Sequence, residues 1–474
     1  MIPAAGRSVT PVPAAEGLKR RGGGIVGQQN EIPAIVAKPL RVLACPCMTR
    51  VATWWIPLPF CLILIVLAAT EAGCGSSTPS AKQSLQDQVV RSDASSKIVV
   101  PAGKPIVLGV SEALTGSEAP AGIEDRDAVV TSVVRWKAKN GKQIKGHEIE
   151  VRAEDDGCTE DQITVQAAQR LLRVPELVGV LGPGCSAGAN AAIPLYEQAG
   201  IVAISGSATQ SDLATTQPAG RFFFRTSYRN ELQGEVGGEF VAATLKATTA
   251  YLIDDDESYG RDLIEAARRV MESHGVVVMR ESVRRGDVDF SKLAEEIARA
   301  NPGFVGFGGF NPEAVLLYRQ LRDAGYRGPF GAGDAAASVL TFVDPVGAEA
   351  AEGVYFVGCS PSLPDDFRAD FKKIHGSEPQ ASAFTAQYAD ATTVLLDAVA
   401  EVAEEQSDGS LLVEPAQLRD AVRATIRMDG VSGHIRFDDY GDRTSSASDL
   451  TEQAGDLGLA ACQVQGGKLV QLFP

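Results

Sequence analysis

The chain has 474 residues, 45% of them hydrophobic, enough to bury a large core spread over two or three domains. Its formal charge is −16, and because residues 1–74 hold seven Lys+Arg against three Asp+Glu, the acidic excess belongs to the remainder. Such a surface excludes nucleic acid as a partner, since neutralising phosphates takes clustered lysines and arginines.

The first feature in chain order is an apolar run, WWIPLPFCLILIVLAAT, from Trp54 to Thr70, preceded by Arg50 and followed by small residues and Cys74. Its prolines and limited length fit the core of an export signal better than a membrane-spanning helix. Met48 sits directly upstream, so residues 48–74 are predicted to be the signal and residues 1–47 an over-extended N-terminus. The signal ends in TEAGC followed by GSSTPS, which resembles a bacterial lipobox with Cys74 as the lipidated residue; Glu71 stands where an aliphatic residue is usual. Ordinary cleavage nearby is the alternative, and either way the protein is expected to work outside the cytoplasm, touching the membrane through a lipid alone. Residues 75–103, polar at the start, are predicted to form a flexible tether.

Cysteine usage agrees with export. Cys45, Cys47 and Cys61 fall in or before the signal, leaving Cys158, Cys185, Cys359 and Cys462 in the body of the chain. These four contain no C-x-x-C, so two disulfides are predicted rather than a zinc cluster or a thioredoxin-type site.

From Pro105 onward short apolar runs alternate with helical patterns, the signature of βαβ units and a parallel sheet. IVLGV (106–110) leads to a helix near 123–139, and EIEVRAEDD (148–156) leads to a helix opened by a Thr159/Gln162 capping box. LVGVLG (177–182), a helix from about Ala187 to Ala199 and IVAIS (201–205) complete one doubly wound lobe. The pattern restarts after FFFRTS (222–227): a helix near 230–246, AYLIDDD (250–256), a helix over 259–274, VVVMRESV (276–283), SKLAEEIARA (291–300), FVGFGGF (304–310), a helix at 313–324 and PFGAGD (329–334). VYFVG (354–358), two helical stretches at 364–375 and 382–405, and a final β region close the chain. Two lobes and a tail too short for a third imply that the chain recrosses between them and leaves a cleft. The predicted fold is α/β, with residues 104–226 and 357–454 in lobe 1 and residues 227–356 and 455–474 in lobe 2.

The stretch LGPGCSAGAN (181–190) holds G-x-S-x-G at Gly184, Ser186 and Gly188, the spacing of a hydrolase nucleophile elbow. A hydrolase would need a histidine from His147, His274, His375 and His434, but none lies in a recognisable loop and all four read as surface residues. The same stretch is a loose relative of the dinucleotide fingerprint, yet IVAIS ends without the acid that would hold a ribose, and Pro183 and Cys185 crowd the turn. The acidic runs Glu154–Asp156 and Asp254–Asp256 lack the spaced ligands of an EF-hand. No metal and no cofactor is expected.

In order, LGVSEALTG (108–116), EDDGCTEDQ (154–162), GPGCSAGANAAIPLYEQAGI (182–201), ISGSATQSDL (204–213), DDDESYGRDL (254–263), GFGGFNPEA (306–314) and RDAGYRGPFGAGD (322–334) resemble the leucine/isoleucine/valine-binding family of extracytoplasmic solute-binding proteins of ABC transporters. That resemblance implies a type I periplasmic-binding fold, its two lobes joined by a three-strand hinge, and a small solute, an amino acid first, handed to permease and ATPase subunits by a monomer. Position by position it implies that Ser186 binds the solute carboxylate, that Ser207 contacts it by backbone, and that Thr209 bonds both carboxylate and ammonium. Across the cleft it implies that Tyr259 and Phe310 close over the solute and that Asp334, in place of a glutamate, pairs with the ammonium. The shorter acid, and the absence of an aromatic near Ala121, are expected to widen the pocket. The resemblance also implies a Cys158–Cys185 disulfide bracing the loop of Ser186. A second bridge, Cys359–Cys462, is expected between the third crossover and the terminal strand. A sensor of the same fold is the alternative reading; no transmembrane or cytoplasmic segment follows in this sequence, which favours transport.

Overall fold

The run Ile106–Glu112 is buried at every position, as a strand covered on both faces requires, and its apolar residues need not alternate with polar ones. The structure, a computed structural model, describes residues 96–158, 162–214, 221–359, 363–380 and 382–473. The predicted signal, Cys74 and Thr159 lie outside the described residues.

The first sheet holds five parallel strands: β1 Ile106–Glu112, β2 Ile149–Asp155, β3 Leu177–Leu181, β4 Val202–Ser205 and β5 Phe223–Arg225, in the spatial order β2-β1-β3-β4-β5. Between them run α1 (Ala119–Asn140), α2 (Gln162–Leu172) and α3 (Ser186–Ala199). α1 opens with a proline, whose missing N–H is no loss in a first turn. α3 closes at Gly200 in the left-handed conformation, the usual way to satisfy its last carbonyls.

The second sheet has seven strands. β6 Thr249–Asp254, β7 Val277–Ser282, β8 Phe304–Gly308, β9 Phe330–Ala332 and β10 Tyr355–Cys359 pair in parallel, and β11 Ala460–Gln465 and β12 Lys468–Phe473 add antiparallel strands at one edge. Helices α4 (Asn230–Glu239), α5 (Ser258–Ser273), α6 (Ser291–Ala300) and α7 (Asn311–Asp323) cover it. α5 buries Tyr259, Leu263, Ala267 and Met271, an apolar stripe at helical spacing. After β10 the chain returns to the first lobe through α8 (Asp365–His375) and α9 (Thr385–Val402), whose Tyr388, Leu395 and Val399 join the first core. Fully burying each such apolar side chain contributes roughly 1.5–3 kcal/mol relative to exposure.

The fold is therefore two doubly wound α/β lobes, with crossings after Arg225, after Cys359 and after Asp456. Three sequence expectations differ from the structure. The tether ends before residue 98: Ile98–Val100 pairs antiparallel with Leu411–Val413, and Ile98 and Val100 are completely buried, because alternate apolar residues cover the edge of the first core. The strand Tyr355–Cys359, divided by the predicted boundary at residue 357, lies wholly in the second sheet. His147 is not a surface residue; its ring is buried, with Nδ1 on the Lys104 carbonyl at 2.8 Å and Nε2 on the Gly409 carbonyl at 3.1 Å.

Both expected bridges are present. Cys158 and Cys185 have Cα atoms 5.1 Å apart, and Cys359 and Cys462 have theirs 6.1 Å apart. The second joins β10 to its neighbour β11 rather than to the terminal strand β12, because β11 is the strand that pairs with β10.

Candidate functional site

Parallel strands end on one side of a sheet, so the loops that follow them gather there. In this chain the ends of β1, β3 and β4 from the first lobe and of β6, β8 and β9 from the second supply the walls of one cavity of about 70 Å³. Of the six residues expected to bind a solute, Ser186, Ser207, Tyr259, Phe310 and Asp334 line it. Thr209 does not: it is buried, its carbonyl accepts from the Asn230 N–H at 2.7 Å, and its hydroxyl has no hydrogen-bond partner among the described residues.

Ser186 is the first residue of α3, so it stands among the unpaired amides at the positive end of a fourteen-residue helix. Its Oγ accepts from the Gln210 N–H at 3.1 Å. Behind it the loop is braced twice. The Cys158–Cys185 bridge ties it to the end of β2, and buried Asp156 accepts from the Cys158 N–H at 3.0 Å and the Ser111 hydroxyl at 3.0 Å. The Gly184 of the G-x-S-x-G motif has a steric role, since a Cβ there would lie 2.1 Å from Glu112 Oε2. The Ser207 hydroxyl donates to the Gly184 carbonyl at 2.6 Å and lies 3.0 Å from the Tyr388 hydroxyl, which in turn donates to Glu112.

In the second lobe, Asp334 follows β9 and is buried beneath two phenols. The Tyr259 hydroxyl donates to Oδ1 at 2.6 Å and the Tyr228 hydroxyl to Oδ2 at 3.1 Å. Burial pushes its carboxyl up to about 6, against the opposing hydrogen bonds from Tyr259, Tyr228, the Ala335 amide and Gln233. The Tyr259 and Phe310 rings pack with centroids 5.5 Å apart, tilted by 53°, and Arg285 lies over Phe310 at 4.0 Å from its centroid.

The cavity is small for all the shorter acid at Asp334. Two phenols converge on Asp334, and Phe384, just before α9, lines the same cavity as Ala121. The cavity falls well below the ~300 Å³ of ordinary small-molecule pockets.

Sequence reasoning passed over Glu112, Glu118 and Asp125, all buried and all on the cavity wall. Glu112 lies within the quoted motif LGVSEALTG, and an acid ending an otherwise apolar strand was the available signal. Burial, with the charges of Asp125 and Asp156, holds Glu112 well above the usual carboxylate range; burial does the same to Asp125, with Glu124 adding to it. None of the four histidines lines the cavity.

Comparison with known proteins follows the same outline. The profile of the family described as periplasmic binding protein matches residues 105–456. The chain belongs to the periplasmic binding protein family. Within it, an amino acid binding protein of Pseudomonas aeruginosa is 31% identical over 279 residues, spanning 58% of this chain and 73% of that one. A leucine-, isoleucine-, valine-, threonine- and alanine-binding protein of the same organism is 27% identical over 354 residues, spanning 72% of this chain and 88% of that one. Among solved periplasmic binding proteins, the LivJ substrate-binding protein of Streptococcus pneumoniae, in complex with isoleucine, superposes with a TM-score of 0.66 at 22% identity, covering 78% of this chain and 100% of that one. That likeness concerns the fold.

Proposed function

We propose that this periplasmic binding protein captures an amino acid outside the cytoplasm and delivers it to the permease of an ABC importer, whose ATPase subunits supply the energy. One observation carries the reading: a single cavity has a hydroxyl at a helix N-terminus, Ser186, on one lobe and a buried carboxylate, Asp334, on the other. A zwitterion matches that polarity, its carboxylate on the Ser186 hydroxyl and α3 amides, its ammonium on Asp334. Ser207 completes the first-lobe side of the cavity, which Thr209 does not reach, and the Tyr259 and Phe310 rings close over the solute. The relatives named for amino acids support the solute class.

In this reading the solute docks on the first lobe and the second lobe closes over it. Closure is favoured only by as much as the solute binds the closed form better than the open one. Ser186 acts as an anchor and not as a nucleophile in this reading, and a fluorophosphonate probe leaves it unlabelled. The predicted signal and Cys74 supply export and a lipid anchor, which Cys74→Ser releases into the soluble fraction.

The test is a thermal-shift screen over the amino acids, amides and small carboxylates, since a solute that binds only the folded state raises the melting point. Asp334→Ala abolishes the shift with an ammonium-bearing solute while sparing a simple carboxylate. Equal shifts in both proteins contradict the assignment of Asp334.

A further inference from the structure

An amino acid with an uncharged side chain brings one positive charge to this cavity, and Asp334 answers it. The wall holds three more acids, Glu112, Glu118 and Asp125, and no lysine, arginine or histidine. All four carboxyls are at least nine-tenths buried. Glu118 has Arg285 near it as a counter-charge. Among the described residues Glu112 and Asp125 have no such cation; they repel one another as like charges, and Glu112 accepts the Tyr388 hydroxyl and the Ala113 amide. Asp125 is 3% exposed, and its Oδ1 has no hydrogen-bond partner among the described residues.

Ser382 hydrogen-bonds to Asp125, but a buried carboxylate oxygen left without a partner, and two like acids side by side with no cation, are unfavourable, the more so when ionised. A stable lobe would gain by replacing such a pair with apolar residues, so its retention on the wall of a binding cavity calls for an occupant. We infer that the solute carries a second cationic nitrogen seated against Glu112 and Asp125, making it a short diamino acid rather than an aliphatic one. The inference rests on the amino acid reading above and names its side chain. The small volume keeps the side chain short. The position of the acids on the first lobe, beside Ser186 and Ser207, puts the second nitrogen on the lobe that also binds the carboxylate. Burial raises the pKa of both acids, and a cation seated against them opposes that rise.

Two probes of nearly identical shape separate charge from size: 2,4-diaminobutyrate and norvaline, which differ by an ammonium in place of a terminal methyl. Titration calorimetry on the wild-type protein at pH 7.5 is expected to give at least tenfold tighter binding of 2,4-diaminobutyrate. Glu112→Gln and Asp125→Asn, each checked for a native melting transition, are expected to bring the two probes within about threefold. Norvaline binding as tightly as 2,4-diaminobutyrate to the wild-type protein overturns the inference and leaves the amino acid reading standing. A preference that survives in both variants also overturns it. Failure of both probes and of every standard amino acid removes the parent reading and the inference together.

Discussion

The Tyr259 hydroxyl donates to Asp334 Oδ1 across 2.6 Å, linking the first turn of α5 to the second residue after β9 inside one buried wall. Tyr228 completes the pair from the other side, so the carboxylate meets two phenols, the Ala335 amide and the Gln233 side chain, and among the described residues no cation is paired with it. Burial therefore favours the protonated acid, and the folded value of about 6 lies above that of an exposed aspartate.

Because the folded state holds this proton more tightly than the unfolded chain, Asp334 makes its best contribution to stability at low pH. That contribution is lost as pH rises from about 4 to about 6, and stays lost above it. An ammonium reverses the balance by pairing with the ionised form. At pH 5 about one-tenth of the empty sites carry that ionised form, whereas at pH 7.5 nearly all do. Asp334 alone thus predicts about tenfold weaker amino acid binding at pH 5 than at pH 7.5, and Asp334→Asn removes that part of the dependence. Calorimetry at the two pH values checks it; a flat profile in the wild-type protein contradicts it.

Ser186→Ala leaves the Gln210 amide without its acceptor and takes the hydroxyl from the α3 N-terminus. Hydrogen bonds to charged groups contribute about 1.5–3 kcal/mol. The variant is expected to bind its amino acid roughly 10- to 100-fold more weakly while keeping its fold, as circular dichroism beside calorimetry would show.

How much of this was legible beforehand depended on how far apart the partners lie in the chain. The strand and helix pattern from Ile106 to Ala332 was readable because each βαβ unit carries its own apolar periodicity. Ser186 and Asp334 were readable as positions in motifs of a recognised family. Glu112 was not: an acid at a strand end normally faces water, and what buries this one is Tyr388, 276 residues later. Asp125 sits in the first turns of α1, where an acid is unremarkable until the opposite wall closes over it. The narrowness of the cavity was likewise invisible, because no local pattern tied Phe384 on its wall, or the Tyr228 hydroxyl that holds Asp334, to that acid.

Arg225 and Asp442 form a buried ion pair at 2.6 Å, and the same guanidinium donates to the carbonyls of Ala208, Gln210 and Ser211. Arg225 thereby fixes the loop that carries Thr209 and whose Gln210 amide holds Ser186. Arg225→Met is expected to destabilise the protein by about 3–5 kcal/mol, since it removes the ion-pair partner of buried Asp442. Chemical denaturation measures the loss, and a change under 1 kcal/mol would show that the clamp is not needed.

The two disulfides differ in the length of chain they close. The Cys158–Cys185 loop spans 27 residues and the Cys359–Cys462 loop 103. Chain entropy predicts that removing the first costs about 3–4 kcal/mol and the second nearer 5 kcal/mol. Opening the first also frees the loop of Ser186, so the Cys158→Ser/Cys185→Ser protein should lose binding as well as stability. The Cys359→Ser/Cys462→Ser protein should lose stability alone. Denaturant titration paired with calorimetry separates the two patterns.

A crystal structure of the protein with the amino acid that gives the largest thermal shift tests the central claim most directly. The account predicts electron density between the lobes, with the solute carboxylate within hydrogen-bonding distance of Ser186 Oγ and an ammonium against Asp334. Density at any other place, with Ser186 and Asp334 both untouched, would contradict it.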